Sequence, residues 1–133
     1  MKIEDIEGIG SAYAAKFRGA DVQTTDDLLK KGGTAKGRAD LAAATGLSEK
    51  QILDWVNRAD LYRVNGIGSE YADLLEAAGV DTVPELAQRK AENLAAKLKE
   101  VNDAKKKVRA LPSADQVGKW IEHAKALPRA VEY

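Results

Sequence analysis

The chain has 133 residues, and its 21 lysines and arginines balance its 21 aspartates and glutamates, so the formal net charge is zero. This balance excludes a protein that coats nucleic acid over its whole surface, because such proteins carry a clear excess of positive charge. With no cysteine and one histidine, the sequence also excludes a disulfide scaffold, a zinc finger and a multi-histidine metal site. No apolar run approaches the roughly 18 residues of a membrane span. The acidic, mixed start predicts no signal peptide, and we expect a cytoplasmic location.

The composition and the recurring helix-start signals predict an all-α fold. Alanine, leucine, lysine and glutamate dominate, and no alternating apolar and polar run is long enough for a strand. Thr24, Ser48, Thr82 and Ser113 each stand three residues before a carboxyl or amide side chain, a pattern typical of helix N-termini. Glycines and prolines supply stop signals between them. The predicted helices span residues 2–7, 11–20, 25–31, 35–45, 49–63, 69–78, 83–89, 91–110 and 114–126.

An internal repeat organises the chain. Residues 6–30 align with residues 64–88 at a shift of 58, and ten of these 25 positions are identical. Further downstream, Trp55 aligns with Trp120 at a shift of 65, so the second copy is longer by 65 − 58 = 7 residues. Seven residues are close to two helical turns, so a lengthened helix keeps its buried face in phase. We expect both tryptophans to serve packing rather than a ligand platform.

The motif Gly-Ile-Gly occurs in both copies, at residues 8–10 and 66–68. The first glycine permits a tight reversal with positive φ, the isoleucine fills the space between the flanking helices, and the second glycine lets the next helix begin with exposed amides. Backbone N–H groups at the positive end of a helix can hold a phosphate oxygen. The alternative is that the glycines serve only the reversal of the backbone.

Each turn is followed by Ser-x-Tyr-Ala and later by Val-x-Thr and a capped helix. This pattern resembles the helix-hairpin-helix family, whose consensus reads Gly-h-Gly-x-x-x-Ala with h apolar. Each copy is also similar to the N-terminal domain of RadA-type recombinases and to the C-terminal domain of the bacterial RNA polymerase alpha subunit. The tandem pair is similar to a bacterial domain-of-unknown-function family built from duplicated helix-hairpin-helix units. The resemblance implies two tandem helix-hairpin-helix (SAM-like) units packed side by side, at residues 1–62 and 63–133, the second with the seven-residue insertion.

The family resemblance further implies binding to duplex DNA phosphates without sequence preference, through hairpin amides and nearby basic side chains. It places the amide contacts at Gly8, Ile9, Gly10, Ser11, Gly66, Ile67, Gly68 and Ser69. The basic partners would be Lys16 and Arg18, on the helix after the first turn. Carboxylates flank the first turn and line the helix after the second, and they oppose phosphate binding: Glu4, Asp5, Glu7, Glu70, Asp73 and Glu76. We therefore favour a structural role for the second turn.

A local excess of positive charge falls in or beside the seven-residue insertion of the second copy. The candidate nucleic-acid contacts there are Lys105, Lys106, Lys107 and Arg109. The alternative is a solvated helix face, which is the common fate of a lysine run. Lys105 falls near the apolar stripe of the predicted helix, so either its stem reaches past that stripe or the helix bends or ends near 102–105. A smaller basic group surrounds the Gly32-Gly33 pair: Lys30, Lys31, Lys36 and Arg38.

Catalytic patterns are not evident in the sequence. Adjacent acids at helix starts suit the helix dipole, His123 has no triad partner, and no phosphate-binding loop has the required spacing. We therefore expect no enzyme, no cofactor, no metal ion, no small-molecule substrate and no membrane partner. Two functions remain: a non-catalytic module that binds DNA weakly and without sequence preference, or a protein–protein interaction or scaffold module, including self-association, that binds no nucleic acid.

Overall fold

The computed structural model of the chain describes residues 1–6 and 8–133, so Glu7, which the sequence places beside the first turn, lies outside the described residues. Apart from one isolated bridge between Lys2 and Thr24, the described residues contain helices as their only regular elements, and the all-α prediction is confirmed. A short 3-10 helix, Ile3–Asp5, precedes eight α-helices in this part of the chain. They are α1 Gly10–Gly19, α2 Thr25–Gly32, α3 Ala35–Thr45, α4 Glu49–Leu61, α5 Ser69–Ala77, α6 Val83–Ala87, α7 Ala91–Lys105 and α8 Ala114–Ala126.

The predicted helix 91–110 is too long, because α7 ends at Lys105. Lys106 adopts φ 54° in the left-handed region, which stops the helix and turns the chain back. The side chain of Asn102 then braces the following loop by donating to the Val108 carbonyl (3.2 Å) and accepting from the Val108 amide (2.9 Å). For Lys105, the alternative that the helix ends near 102–105 is therefore correct. Beyond the end of the helix the chain returns to the core at Val108, which is 8% exposed.

The chain divides into two compact units. Residues 1–60 with residues 129–133 form unit 1, and residues 61–128 form unit 2. The repeat alignment does not indicate the return of residues 129–133 to unit 1. There, Val131 is buried and the Glu132 amide donates to the carbonyl of Gly33 (2.7 Å).

A tryptophan on the last long helix of each unit packs beside the tyrosine that follows the Gly-Ile-Gly turn. In unit 1 the ring of Trp55 lies 5.3 Å from Tyr13 and 5.6 Å from Phe17, the latter edge to face. In unit 2 Trp120 lies 5.2 Å from Tyr71. Both tryptophans are buried, 9% and 2% exposed, so the predicted packing role is confirmed. Such contacts add to the free energy of burial because aromatic edges and faces attract.

The core of unit 2 lies between α8 and the two helices that pack against it, α6 and α7. The apolar stripe predicted along the helix of residues 91–110 consists of Leu94, Leu98, Val101 and Val108. The first three are buried on α7, whereas Val108 is buried from the loop that follows the helix. Helix α7 has 15 residues, whereas α3, which precedes the last long helix of unit 1, has 11. The extra length of the second copy therefore lies partly in the helix and partly in the loop of residues 106–113, rather than in the helix alone. None of the helices in the described part of the chain has both the length and the apolar character needed to cross a membrane.

The two copies of the repeat form equivalent backbone turns after their first helices. In unit 1 the Val22 amide donates to the Phe17 carbonyl (2.9 Å), and Asp21 has φ 63°. In unit 2 the Val80 amide donates to the Leu75 carbonyl (2.8 Å), and Gly79 has φ 91°. Each turn leads to a threonine cap, on Thr24 or Thr82. The aligned residues 17–24 and 75–82 therefore adopt a repeated conformation.

We expect Thr24→Ala to lower the free energy of unfolding by about 1 kcal/mol, because a threonine cap contributes about that much. The Thr24 hydroxyl accepts from the Asp27 amide (3.1 Å), and the Asp27 carboxylate accepts from the Thr24 amide (3.2 Å). Urea denaturation followed by circular dichroism measures the loss. Asp26→Ala is the control, since Asp26 is an exposed residue of the same turn outside this capping box. Equal losses in the two variants would contradict the cap assignment.

Candidate nucleic-acid interface

The first Gly-Ile-Gly turn is held by its buried isoleucine and two glycines with positive φ. Gly8 has φ 88° and Gly10 has φ 68°, and Ile9 is 2% exposed. The Ile9 amide donates to the Ile6 carbonyl (3.2 Å), so this predicted phosphate donor is used within the turn. Helix α1 begins at Gly10 without a side-chain cap. Because the first amides of a helix have no acceptor inside it, the amides of Gly10 and Ser11 are the donors this turn can present.

The surface over the first turn is open. A Cβ added at Gly8 or at Gly10 would meet no atom within 4 Å. Both glycines are exposed. Their small size therefore serves no packing contact in the fold, and it leaves the backbone accessible to a ligand group. Positive φ remains the conformational reason for glycine at both positions.

The second turn has the same hydrogen bond but a different environment. The Ile67 amide donates to the Val64 carbonyl (3.2 Å), Ile67 is 4% exposed, and Gly66 has φ 92°. A Cβ added at Gly66 would lie 2.9 Å from Nε1 of Trp120, so the missing side chain admits the indole. Gly68 has φ −104° and is the N-cap of α5, which begins at Ser69 without a side-chain cap. Packing as well as φ therefore requires the first glycine of this turn.

The two cations predicted beside the first turn differ in their surroundings. Arg18 forms an ion pair with Glu4, and both side chains are partly exposed. Lys16 is exposed, with its ammonium group 6.0 Å from the centre of the Tyr13 ring. A phosphate that used Arg18 would have to displace the Glu4 carboxylate, whereas Lys16 can turn toward a phosphate without breaking an ion pair shown in the structure.

The predicted basic residues of the insertion gather at the end of α7 and in the loop after it. Lys105, Lys106 and Arg109 are exposed. Lys107 instead forms an ion pair with Asp73 of α5 (3.1 Å). Lys107 is exposed as well, so the end of α7 and the loop after it present four exposed cations, one of which is held by this ion pair. The conformation of the loop is set by the brace from Asn102 described above.

Two further cations of the sequence have structural roles that the sequence analysis missed. The Lys31 ammonium donates to the Ala20 and Asp21 carbonyls (3.2 and 3.0 Å), and Arg89 donates to the Gly79 carbonyl (3.3 Å). Each cation stabilises the carbonyl end of the helix that follows a Gly-Ile-Gly turn. Extending the repeat alignment by one position pairs Lys31 with Arg89, since 89 − 31 = 58, and this signal was present in the sequence.

A cluster of carboxylates gives part of unit 2 an acidic character. Burial and the nearby Glu85 carboxylate raise the pKa of Asp81 above its usual 3.8. Glu70 and Glu76 are exposed on α5. The described residues hold no group of three or more histidine and acidic side chains suited to a metal ion. Glu70 is the acidic residue in the first turn of α5, directly after the second Gly-Ile-Gly turn, and its carboxylate disfavours phosphate there.

The fold and these turns define an all-α protein of two compact units with repeated Gly-Ile-Gly turns. The chain belongs to the family described as "Domain of unknown function (DUF4332)", which matches residues 7–127. Searches of curated proteins and of solved structures found no match. A proposal for function must therefore rest on the geometry of the turns and the placement of the charges.

The two turns allow a matched test of their packing. We expect Gly8→Ala to cost about 1–2 kcal/mol, because alanine is strained at positive φ. Gly66→Ala should cost roughly 2–4 kcal/mol, since the new methyl also displaces Trp120. Urea denaturation followed by circular dichroism compares the two variants. A loss at Gly66 no larger than that at Gly8 would show that Trp120 does not require the glycine.

The acidic cluster predicts a pH-dependent stability difference. A raised pKa means that the folded protein holds the Asp81 proton more tightly than the unfolded chain, so the ionised carboxylate destabilises the fold above that pKa. We expect Asp81→Asn to raise the melting temperature at pH 7, and the gain to shrink as the pH falls toward 3. Asp103→Asn is the control, because Asp103 is exposed and pairs with Lys99. An unchanged melting temperature for Asp81→Asn at pH 7 would contradict the assignment.

Proposed function

We propose that this chain is a non-catalytic, cytoplasmic module of two helix-hairpin-helix units that binds the phosphate backbone of duplex DNA weakly and without sequence preference. The observation that carries the proposal is the first turn, where α1 begins without a side-chain cap and nothing covers the glycines on either side of Ile9. Backbone amides at a helix N-terminus attract anions, since the helix dipole adds to their partial charges. A phosphate oxygen can therefore reach the amides of Gly10 and Ser11.

Side-chain charge supplements these amides. Lys16 extends from α1, the helix that the turn begins, and is free to approach a bound phosphate. Arg18 contributes by exchanging Glu4 for phosphate, and this exchange costs little because a partly exposed ion pair is worth at most about 1 kcal/mol. The first turn with these two cations forms the primary contact in our proposal.

The exposed cations at the end of α7 form a second contact. Lys105, Lys106 and Arg109 lie close together in the chain and project from a braced loop, so binding there requires little further ordering of the backbone. Lys107 has a structural role, because its ion pair with Asp73 joins the loop to α5. We assign the second Gly-Ile-Gly turn, residues 66–69, a structural role for the reasons of packing and charge given above.

A titration of a fluorescein-labelled DNA duplex, read by anisotropy at about 50 and 200 mM salt, tests this proposal. Each phosphate neutralised should contribute a slope of about −0.9 to the log–log salt dependence. We expect Lys16→Glu to weaken binding several-fold at low salt and to make the slope shallower by about 0.9.

Lys50→Glu is the matched control, because it makes the same change in charge at an exposed lysine of unit 1 that is paired with Asp54. Absence of salt-dependent binding at about 50 mM salt would end the proposal. Equal losses of DNA affinity in Lys16→Glu and Lys50→Glu would show that the first turn is not part of the DNA contact. A second double variant, Lys105→Glu with Lys106→Glu, measures the contribution of the α7 loop.

A protein–protein interaction or scaffold module is the second candidate function. It is favoured by the ion pairs of Arg18 and Lys107 with carboxylates of the chain, because these are two of the cations predicted to contact DNA. The exposed acids of α5 and the exposed cations after α7 would then meet complementary charges on a partner. Sedimentation velocity with and without duplex DNA separates DNA binding from the self-associating form of this function, because self-association predicts a larger species for the protein alone and no change on adding DNA.

A further inference from the structure

Residues 129–133 lie in a groove of unit 1 without forming a helix or strand, and we call this segment the strap. Both backbone groups of Glu132 are bound there. Its amide donates to the Gly33 carbonyl (2.7 Å), and its carbonyl accepts from the guanidinium of Arg38 (2.6 Å). This pairing of an N–H and a C=O on one residue is how proteins recognise an extended peptide.

The side chains on either side of Glu132 are also recognised. Val131 is 3% exposed, so its side chain fills an apolar site. The Tyr133 hydroxyl donates to Oδ1 of Asn57 (3.0 Å), a buried residue of α4. A Cβ added at Gly33 would lie 2.7 Å from the Ala130 carbonyl oxygen, so the absence of a side chain there admits the strap. The groove is therefore specific for sequence as well as for backbone.

Arg38 shows that the groove is built for a peptide. It is 5% exposed, and its second guanidinium nitrogen donates to the Gly32 carbonyl (2.9 Å). A buried guanidinium requires acceptors, because an unpaired buried charge is costly. The carbonyl of Glu132 supplies one of them, so removal of the strap takes away an acceptor that this guanidinium uses.

The link between α8 and the strap allows the strap of another chain to take its place. Helix α8 ends before Leu127, whose ψ of 136° is extended, as expected for a residue that precedes proline. The strap therefore continues from α8 through an extended link and shares none of that helix's hydrogen bonds. A segment attached in this way can be supplied by another chain with every contact unchanged.

We infer that the groove formed by Gly33, Arg38 and Asn57 is a peptide-binding site, and that its second occupant is the strap of another copy of this chain. Contacts made within one chain and between two chains are identical, so only the effective concentration of the strap separates them. Exchange therefore produces a dimer that increases with protein concentration. This inference is independent of DNA binding.

The first test uses the full chain with a weakened strap, Val131→Asp, because a carboxylate cannot occupy the apolar site while the groove itself is unaltered. A peptide with the sequence of residues 127–133, LPRAVEY, is added to the isotope-labelled variant, and amide signals are followed by NMR. We expect saturable shifts at Gly33 and Asn57 in the variant, and at least tenfold weaker binding to the unaltered chain, whose own strap competes. A peptide carrying aspartate in place of the valine is the control and should cause no shifts.

The second test identifies the occupant. Unlabelled Arg38→Met, which has an intact strap and a defective groove, is mixed with labelled Val131→Asp. The mixture should reproduce the shifts caused by the peptide and form a complex in sedimentation velocity, while each variant alone stays monomeric. Peptide binding without these shifts in the mixture would overturn exchange between copies.

Failure of the peptide to shift any signal at about 4 mM, with the variant folded by circular dichroism, would overturn the peptide site itself. Should Val131→Asp unfold, Tyr133→Ala replaces it, because Tyr133 is 64% exposed and its loss removes one hydrogen bond from the strap. The peptide should then cause the same shifts, but its affinity for this variant should exceed its affinity for the unaltered chain by a smaller factor. Absence of these shifts would likewise count against the peptide site.

Discussion

Burial of the isoleucine in each Gly-Ile-Gly turn is the constraint from which the rest of each unit follows. Ile9 and Ile67 are inside, and their amides are bound to the residue three positions before them. This arrangement requires positive φ at the preceding glycine and determines where the next helix begins. That helix then carries its tyrosine to the buried tryptophan of the unit. The turn, the helix start and the aromatic contact are therefore linked in both copies.

The two copies share the hydrogen bond of the turn and the positive φ of its first glycine, but they differ at the second glycine and in what surrounds the turn. At the first turn the glycines face open space, while at the second Gly66 packs against Trp120. A duplicated motif thus has one turn whose glycine is required by packing and another whose glycines leave the backbone accessible. The charges near the two turns differ as well, because the helix after the first turn carries Lys16, whereas the helix after the second carries Glu70 and Glu76.

Some cations bind groups within the protein and others are exposed, and this difference explains how a chain with zero net charge can still have a cationic surface. Lys31, Arg38 and Arg89 bind backbone carbonyls within their units. Charges used in this way contribute to net charge without being offered to a partner. The exposed lysines and arginine after α7 are concentrated in one short loop. A balanced total is therefore compatible with a local cationic surface, and the whole-chain charge alone does not predict binding.

Local patterns in the sequence were sufficient for the eight α-helices of the described residues, the threonine caps and the three buried residues of the stripe on α7, because each depends on residues a few positions apart. The described part of the first predicted helix, 2–7, forms only the 3-10 helix Ile3–Asp5. The local patterns left open whether α7 ends near residues 102–105 or continues to residue 110, because the end at Lys105 depends on Asn102 and on the burial of Val108. They also missed the ion pairs of Arg18 and Lys107 and the strap bound by Arg38, since these join residues whose proximity no short spacing encodes. Periodicity specifies which face of a helix is buried, whereas the folded chain alone specifies which charge or carbonyl lies opposite it.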